Sequence, residues 1–468
     1  MYVILSFARD KKNPIQELTG NTKRMAKPTL FDVQKSGLKK DSLNIFVKLF
    51  FGLCEKSNQD LMKTLMGWIA KSQSTPVEWN ENGEKLINHI SKTLHEDPPD
   101  QSAKRLGFLC ELNDKSLLNK IQDYIQRNSP EKLDQDLIIM LQTNEEIQQK
   151  FEMKYFKKSD TDVTKFIPVV KMSNTAKLNR CNLTVASCNR LAQSLKNTRS
   201  HVTEMDLSEN EIGDSGVNHI SSMAQDGNCN IERLIFVCCG LTSETCDSLN
   251  QALQTKDSRV RELDISNNDL GDQGLISLSL ALANVNCKLQ TLRLACCQLT
   301  STACEDLNLS LQSADSSLKH LDLSFNDLQD SGVQQLFAGV TKLETLRLAY
   351  CNLTEGSGQY IGELLQSQTL KELDLTNNNL KDSGVEQLLS RGLASADCTL
   401  EKLILKKCGI TLKNESCSKV VSAAIKSEKC HLRELDLSYN YLLDSGAKAV
   451  IVAAVDASNK TERLSLSL

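Results

Sequence analysis

The chain has 468 residues, a formal net charge of −4, only 4% aromatic residues and 17 cysteines. It is long enough for two to four domains or one repeat array, and needs no disulfide staples for its core. The near-neutral balance gives no basic field for nucleic acid, and no apolar run approaches the roughly 18–20 residues that cross a bilayer. The opening MYVILSFARDKK has no basic stretch ahead of its apolar run, so it is a poor export signal. With an odd cysteine count, this points to reduced thiols and a cytoplasmic location.

Residues 1–40 hold nine Lys/Arg against three Asp/Glu and show no periodicity, which predicts a basic, disordered arm. Residues 41–172 read as an all-helical module. Leu43, Phe46, Val47, Phe50, Leu53 and Cys54 recur at the three-and-four spacing of a buried helix face. Ser57 and Asp60 form a start signal for a second helix with Leu61, Leu65 and Ile69. Further periodic stretches cover 84–95, 101–112, 116–127 and 130–142, and a last one, 162–172, carries Phe166, Ile167, Val169 and Val170. The Asp97-Pro98-Pro99-Asp100 breaker separates two of them, and Ser129-Pro130 opens the 130–142 helix.

From 173 to 468 the chain repeats itself. Cys181, Asn210, Cys239, Asn268, Cys297, Asn326, Cys351, Asn378, Cys408 and Asn440 mark ten units, spaced 25–32 residues apart and alternating without error. The pattern L-x-x-L-x-L-x-x-N/C-x-L is a leucine-rich repeat, a short strand followed by a helix. Leu318, Leu321, Leu323 and Leu328 are expected to stack on their counterparts, with the Asn or Cys bonding the loop backbone of a neighbour. Strands about 4.8 Å apart on one side and helices about 10 Å wide on the other force the stack to curve. The fold class is therefore α/β, a horseshoe solenoid with inner parallel strands and outer helices, preceded by the helical module. Asp-Ser-Gly at 214–216, 330–332, 382–384 and 444–446 predicts helix N-termini capped by Asp or Ser. Leu464, Leu466 and Leu468 match a truncated eleventh strand, so the chain reads as a piece of something larger.

Candidate chemistry is sparse. The trios Cys238, Cys239, Cys246 and Cys296, Cys297, Cys304 recur at the repeat period and read as packed thiols, with only Cys238 and Cys296 projecting outward. No second C-x-x-C or histidine pair completes a zinc site, and the six histidines are scattered, so no catalytic, cofactor-binding or metal-ligating residue is assigned. The concave face is the candidate protein-binding surface. Asp264, Arg293, Asp322, Arg347 and Asp374 occupy its floor on five consecutive strands, read first as a ladder of cross-strand ion pairs and second as a charged recognition stripe. Phe325, Tyr350, Lys407 and Tyr439 stand just before their unit markers, with Phe325 and Tyr350 forming an exposed aromatic pair.

The Asn/Cys alternation resembles ribonuclease-inhibitor-type repeats, which also form the C-terminal region of NOD-like receptors. FVKLFFGLCEKSNQDLM (46–62), NDKSLLNKIQDYIQ (113–126) and FIPVVKMSNTAKLNRCNLTVASC (166–188) resemble the helical end of a receptor NACHT region running into its first repeat, nearest to fish versions. The resemblance implies a non-enzymatic recognition and autoregulatory module of an intracellular innate-immune receptor, with a protein partner on the concave face and association with full-length receptors. No G-x-x-x-x-G-K-[ST] occurs, so ATP or ADP belongs only to full-length members with an intact P-loop and no cofactor is expected here. The alternative is a ribonuclease-inhibitor-like inhibitor of an enzyme.

Overall fold

The computed structural model describes residues 144–458 with short interruptions, residues 465–467, and isolated positions between 119 and 142. The arm at 1–40 and the helices expected between 41 and 142 lie outside the described residues, isolated positions apart. The chain divides into two compact units, Met1–Met140 and Leu141–Leu468, and the second is described below.

Twelve parallel strands form one sheet in strict chain order. They are β1 (Lys150–Glu152), β2 (Thr175–Lys177), β3 (Glu204–Asp206), β4 (Arg233–Ile235), β5 (Glu262–Asp264), β6 (Thr291–Arg293), β7 (His320–Asp322), β8 (Thr345–Arg347), β9 (Glu372–Asp374), β10 (Lys402–Ile404), β11 (Glu434–Asp436) and β12 (Ser465–Ser467). Helical segments such as Ser243–Gln254 and Gly271–Leu282 make the crossovers, so each unit touches chiefly its two neighbours. From β2 to β11 the middle residue of every strand is buried, as with Leu263, Leu292, Leu321 and Leu346, and the flanking two look outward. Leu466 of β12 lies opposite Leu435, where the eleventh strand was expected.

The sheet begins one strand ahead of the first repeat read in the sequence. β1 carries no leucine, and Phe151 at its centre packs against Phe156 and Phe166 at 5.4 and 5.6 Å between ring centroids. Phe166 sits on the helix Asp160–Val170, close to the 162–172 stretch predicted as helical. Three buried rings thus do for the first strand what stacked leucines do for the others.

The marker residues hold the units together. Asn268 Oδ1 accepts from the backbone N–H of Cys239 and Leu241 (2.9 and 3.1 Å), and its Nδ2 donates to the carbonyls of Phe236 and Ile265 (both 2.8 Å). Asn326 repeats this with Cys297, Leu299, Leu294 and Leu323, and Asn378 with Cys351, Leu353, Leu348 and Leu375. Asn210 does so onto the Cys181 unit and Asn440 onto the Cys408 unit. In the alternate units the thiol donates backwards: Cys239, Cys297, Cys351 and Cys408 reach the carbonyls of Leu207, Ile265, Leu323 and Leu375 at 3.2–3.4 Å. Burial pushes all four thiols up to about 12, so they are un-ionised packing groups.

The Asp-Ser-Gly element differs from expectation. The helix Gly213–Ala224 is entered from Ile212 with no side-chain cap, and Asp214 reaches instead to the next unit, accepting from the Thr242 N–H (2.9 Å) and hydroxyl (2.7 Å). Asp330 holds Thr354 in the same way and Asp382 holds Thr411. Thr242 and Thr354 are themselves N-caps, so each of these two carboxylates secures the helix start of its neighbour. The glycine has a packing reason. A Cβ on Gly332 would stand 3.1 Å from the Cys304 sulfur, and one on Gly274, in the corresponding Asp272-Gln273-Gly274, would stand 3.0 Å from that of Cys246.

Two outcomes follow. Asn326→Ala orphans buried backbone donors and acceptors and is expected to lower unfolding free energy by about 2–4 kcal/mol in urea titrations; a loss within ~0.5 kcal/mol would contradict the ladder. For Asp382, burial raises the carboxyl, but bonds from Thr411, Leu412 and Asn414 outweigh it and the net shift is downward. A folded pKa below the unfolded value stabilises above about pH 4 and loses that contribution as pH falls. Acid unfolding of Asp382→Asn should therefore be less steep than that of the parent, and an unchanged slope counts against this role.

Candidate functional site: the concave strand face

The outward residues of the strands form two rows, one from the first and one from the third strand position. Asp264, Arg293, Asp322, Arg347 and Asp374 are direct cross-strand neighbours in the third-position row. They are brought together as the sequence implied, but they do not pair as an Asp–Arg ladder. Arg293 bonds Glu262 and Arg347 bonds Glu372 (3.0 Å), both in the first-position row. Arg233 likewise bridges Glu204 and Glu262, and Lys402 pairs with Glu434. The reason is reach: a long guanidinium crosses diagonally to a flexible Glu, whereas each Asp is already turned toward its own loop.

Those aspartates share one task. Asp206, Asp264, Asp322, Asp374 and Asp436 each accept the N–H two residues on, at 2.8–3.1 Å. In three units the serine that supplies this N–H then accepts from the next unit: Ser266 Oγ from Ala295, Ser324 Oγ from Ala349, and Ser208 Oγ from Val237. Asp264 is raised above the usual carboxylate range, first by burial, then by Asp322, against the pull of Ser266 and Arg293. None of the five makes an ion pair among the described residues. From β3 to β11 the two rows carry nine carboxylates and four Lys/Arg, a net of −5, against −4 for the whole chain. At the strand entry edge, by contrast, Glu344 lies between Lys319 and Lys371 (2.9 and 3.0 Å), which hold its carboxyl down to about 2.

The residues just before the markers form a rim with a feature that residue patterns do not show. Glu209, Cys238, Asn267, Cys296, Phe325, Tyr350, Asn377, Lys407 and Tyr439 all have φ between 54° and 61°. From Glu209 to Lys407 the left-handed turn aims each N–H at the next unit; Phe325 donates to Ala349 (2.7 Å) and Tyr350 to Thr376 (2.8 Å). Non-glycine residues adopt this conformation at a cost of about 1–2 kcal/mol each, yet no glycine occurs in the row. Phe325 and Tyr350 stack at 4.3 Å and 12°, with 54% and 36% of their surfaces still exposed. Tyr439 lies under Lys406 and Lys407, at 4.6 and 5.8 Å. Cys238 and Cys296 are exposed on the same rim, as expected.

Among the described residues no cluster of His, Cys, Asp or Glu could hold a metal ion, and no helix is long and apolar enough to cross a membrane. His320 bonds the Thr345 hydroxyl and His431 the Cys398 carbonyl, both at 3.0 Å. If the rim rings are displayed rather than packed, Phe325→Ala costs less than about 1.5 kcal/mol in chemical unfolding, against about 3–5 for the fully buried Phe236→Ala; equal losses would make the stack structural.

Known proteins share parts of this architecture. The family model described as NLRC4 helical domain HD2 matches residues 1–120, including the segment read above as an arm. The leucine-rich-repeat model matches 199–220, 259–279, 285–307, 314–337, 366–389 and 428–450. Pig ribonuclease inhibitor is 37% identical over 281 residues, 59% of this chain and 60% of that protein. Human NACHT, LRR and PYD domains-containing protein 12 is 40% identical over 233 residues, 49% of this chain and 22% of that protein. Rat NACHT, LRR and PYD domains-containing protein 3 is 38% identical over 275 residues, 58% of this chain and 26% of that protein. The chain thus spans less than two thirds of each of these three relatives. A segment matching the HD2 model followed by leucine-rich repeats is the order found here, and the chain is a leucine-rich-repeat protein similar to both the NACHT, LRR and PYD domains-containing proteins and ribonuclease inhibitor.

Proposed function

We propose that the chain is a non-enzymatic protein-recognition and autoregulatory module of an intracellular innate-immune receptor, working through its concave face. The observation that carries this reading is the strand face itself. Nine strands display a net charge of −5, bordered by a rim whose exposed rings occupy a costly backbone conformation. Side chains held in such a row, where glycine would be less strained, have a use other than stability. Buried thiols with raised pKa suit a reducing cytoplasm, and the reading assigns no cofactor, membrane or nucleic acid to this chain. Full-length receptors of the same type are natural candidates for association.

Introducing a photo-cross-linking phenylalanine analogue at Phe325, and separately at Leu280 on the helix side, tests this in cytosolic extract. Discrete protein adducts are expected from position 325 and not from 280; adducts from 280 alone, or from neither, would overturn the reading. A second reading, an inhibitor of a pancreatic-type ribonuclease, is favoured by the 37% identity to pig ribonuclease inhibitor over 281 residues. Titrating such a ribonuclease with the purified full chain decides it, since undiminished activity at stoichiometric protein excludes inhibition.

A further inference from the structure

We propose that the partner segment is an extended basic peptide that carries a Lys or Arg at every third position and a planar side chain beside the central one. This rests on the concave-face reading and names the chemistry of its occupant. Asp264, Asp322 and Asp374 stand on β5, β7 and β9, with one strand between each pair. Strands about 4.8 Å apart put these carboxylates roughly 10 Å from one another, which an extended chain covers in about three residues. Their loop hydrogen bonds fix them in place, and the intervening Arg293 and Arg347 form their ion pairs with Glu262 and Glu372 and act on the aspartates only through space. Preorganised acids on a face with a net charge of −5 favour a cationic partner and disfavour nucleic acid or an acidic surface.

The rim supplies the second contact. Phe325 follows Asp322 by three residues in the same unit, and Tyr350 stands one unit further on, before the Asp374 unit. Each ring uses one face on the other at 4.3 Å and keeps a face for a visitor, beside the smaller Cys296 and Asn377. A tryptophan, tyrosine or proline stacking on Phe325 beside Cys296 falls between the carboxylates at Asp264 and Asp322, and one stacking on Tyr350 beside Asn377 falls level with Asp374. Beyond β9 the rim turns basic: Lys406 and Lys407 already occupy Tyr439, so a cationic segment is directed toward β5–β9 and away from β10–β11.

The test uses the full chain and three labelled peptides read by fluorescence anisotropy. One repeats Lys-Pro-Ser with a single Trp beside the central Lys, one has Ala for that Trp, and one has Glu for every Lys. The Trp peptide is expected to bind about tenfold or more tightly than the Ala peptide, weakening as salt rises, and the Glu peptide not to bind. Asp322→Asn with Asp374→Asn keeps the oxygen that accepts the loop N–H, so the fold is retained, and should weaken the Trp peptide about tenfold. Phe325→Ala with Tyr350→Ala should erase the difference between Trp and Ala peptides. Binding that ignores both double variants, or absent binding of the Trp peptide by a chain that still cross-links through position 325, overturns this proposal while leaving the concave-face reading intact. Loss of the cross-links themselves would remove both.

Discussion

The buried asparagine amide at the turn off alternate strands is the constraint on which the molecule is built. Three-residue strands make too few ladder bonds to fix a register alone, and the turns that follow them would leave backbone groups orphaned inside the stack. One carboxamide meets two donors of the preceding unit and two acceptors across both units, at 2.8–3.1 Å in Asn268, Asn326 and Asn378. It is neutral, so it avoids the desolvation cost of a charged group in the same place. The cysteine in the intervening unit is a small side chain with one weak donor, and it fills the space that a second carboxamide could not satisfy.

With the turns secured from within, the strand face and rim are relieved of most structural duty. The first-position glutamates pair with arginines of both rows, through pairs that are partly exposed and worth about 0–1 kcal/mol each. The third-position aspartates order the loop and form no ion pair among the described residues. The rim residues donate an N–H to the next unit through the backbone alone, so any side chain that tolerates the left-handed turn serves the fold equally. Surface chemistry can therefore change from unit to unit while the scaffold stays the same, as it does from Cys296 to Phe325 to Tyr350 to Asn377. That separation links the ladder to recognition.

The scaffold was legible because its determinants recur: leucine spacing, the Asn/Cys alternation and the inward cysteines are each repeated many times. What the residue pattern missed depends on relations between units. β1 has no leucine signature, since three phenylalanines fill its place. The Asp-Ser-Gly aspartate looks like a cap for its own helix, yet Asp214 serves Thr242, 28 residues on. The partners of Arg293 and Arg347 are glutamates two positions before the aspartates on the neighbouring strands, a diagonal that a row-by-row reading passes over. The shared left-handed rim leaves no mark in composition, because glycine, its usual sign, is absent there. The Phe325–Tyr350 pair was visible from the repeat register; its flush stacking was not.

The central claim is that the amide ladder, and not the rim, holds the binding face in a single preformed register. Amide hydrogen exchange of the full chain tests this most directly. The N–H groups of Cys239, Leu241, Cys297, Leu299, Cys351 and Leu353, which donate to the asparagine ladder, should exchange among the slowest in the repeats. They should keep that protection when Phe325 and Tyr350 are both replaced by Ala. Fast exchange at these amides, or protection that collapses with the rim substitutions, would contradict the account.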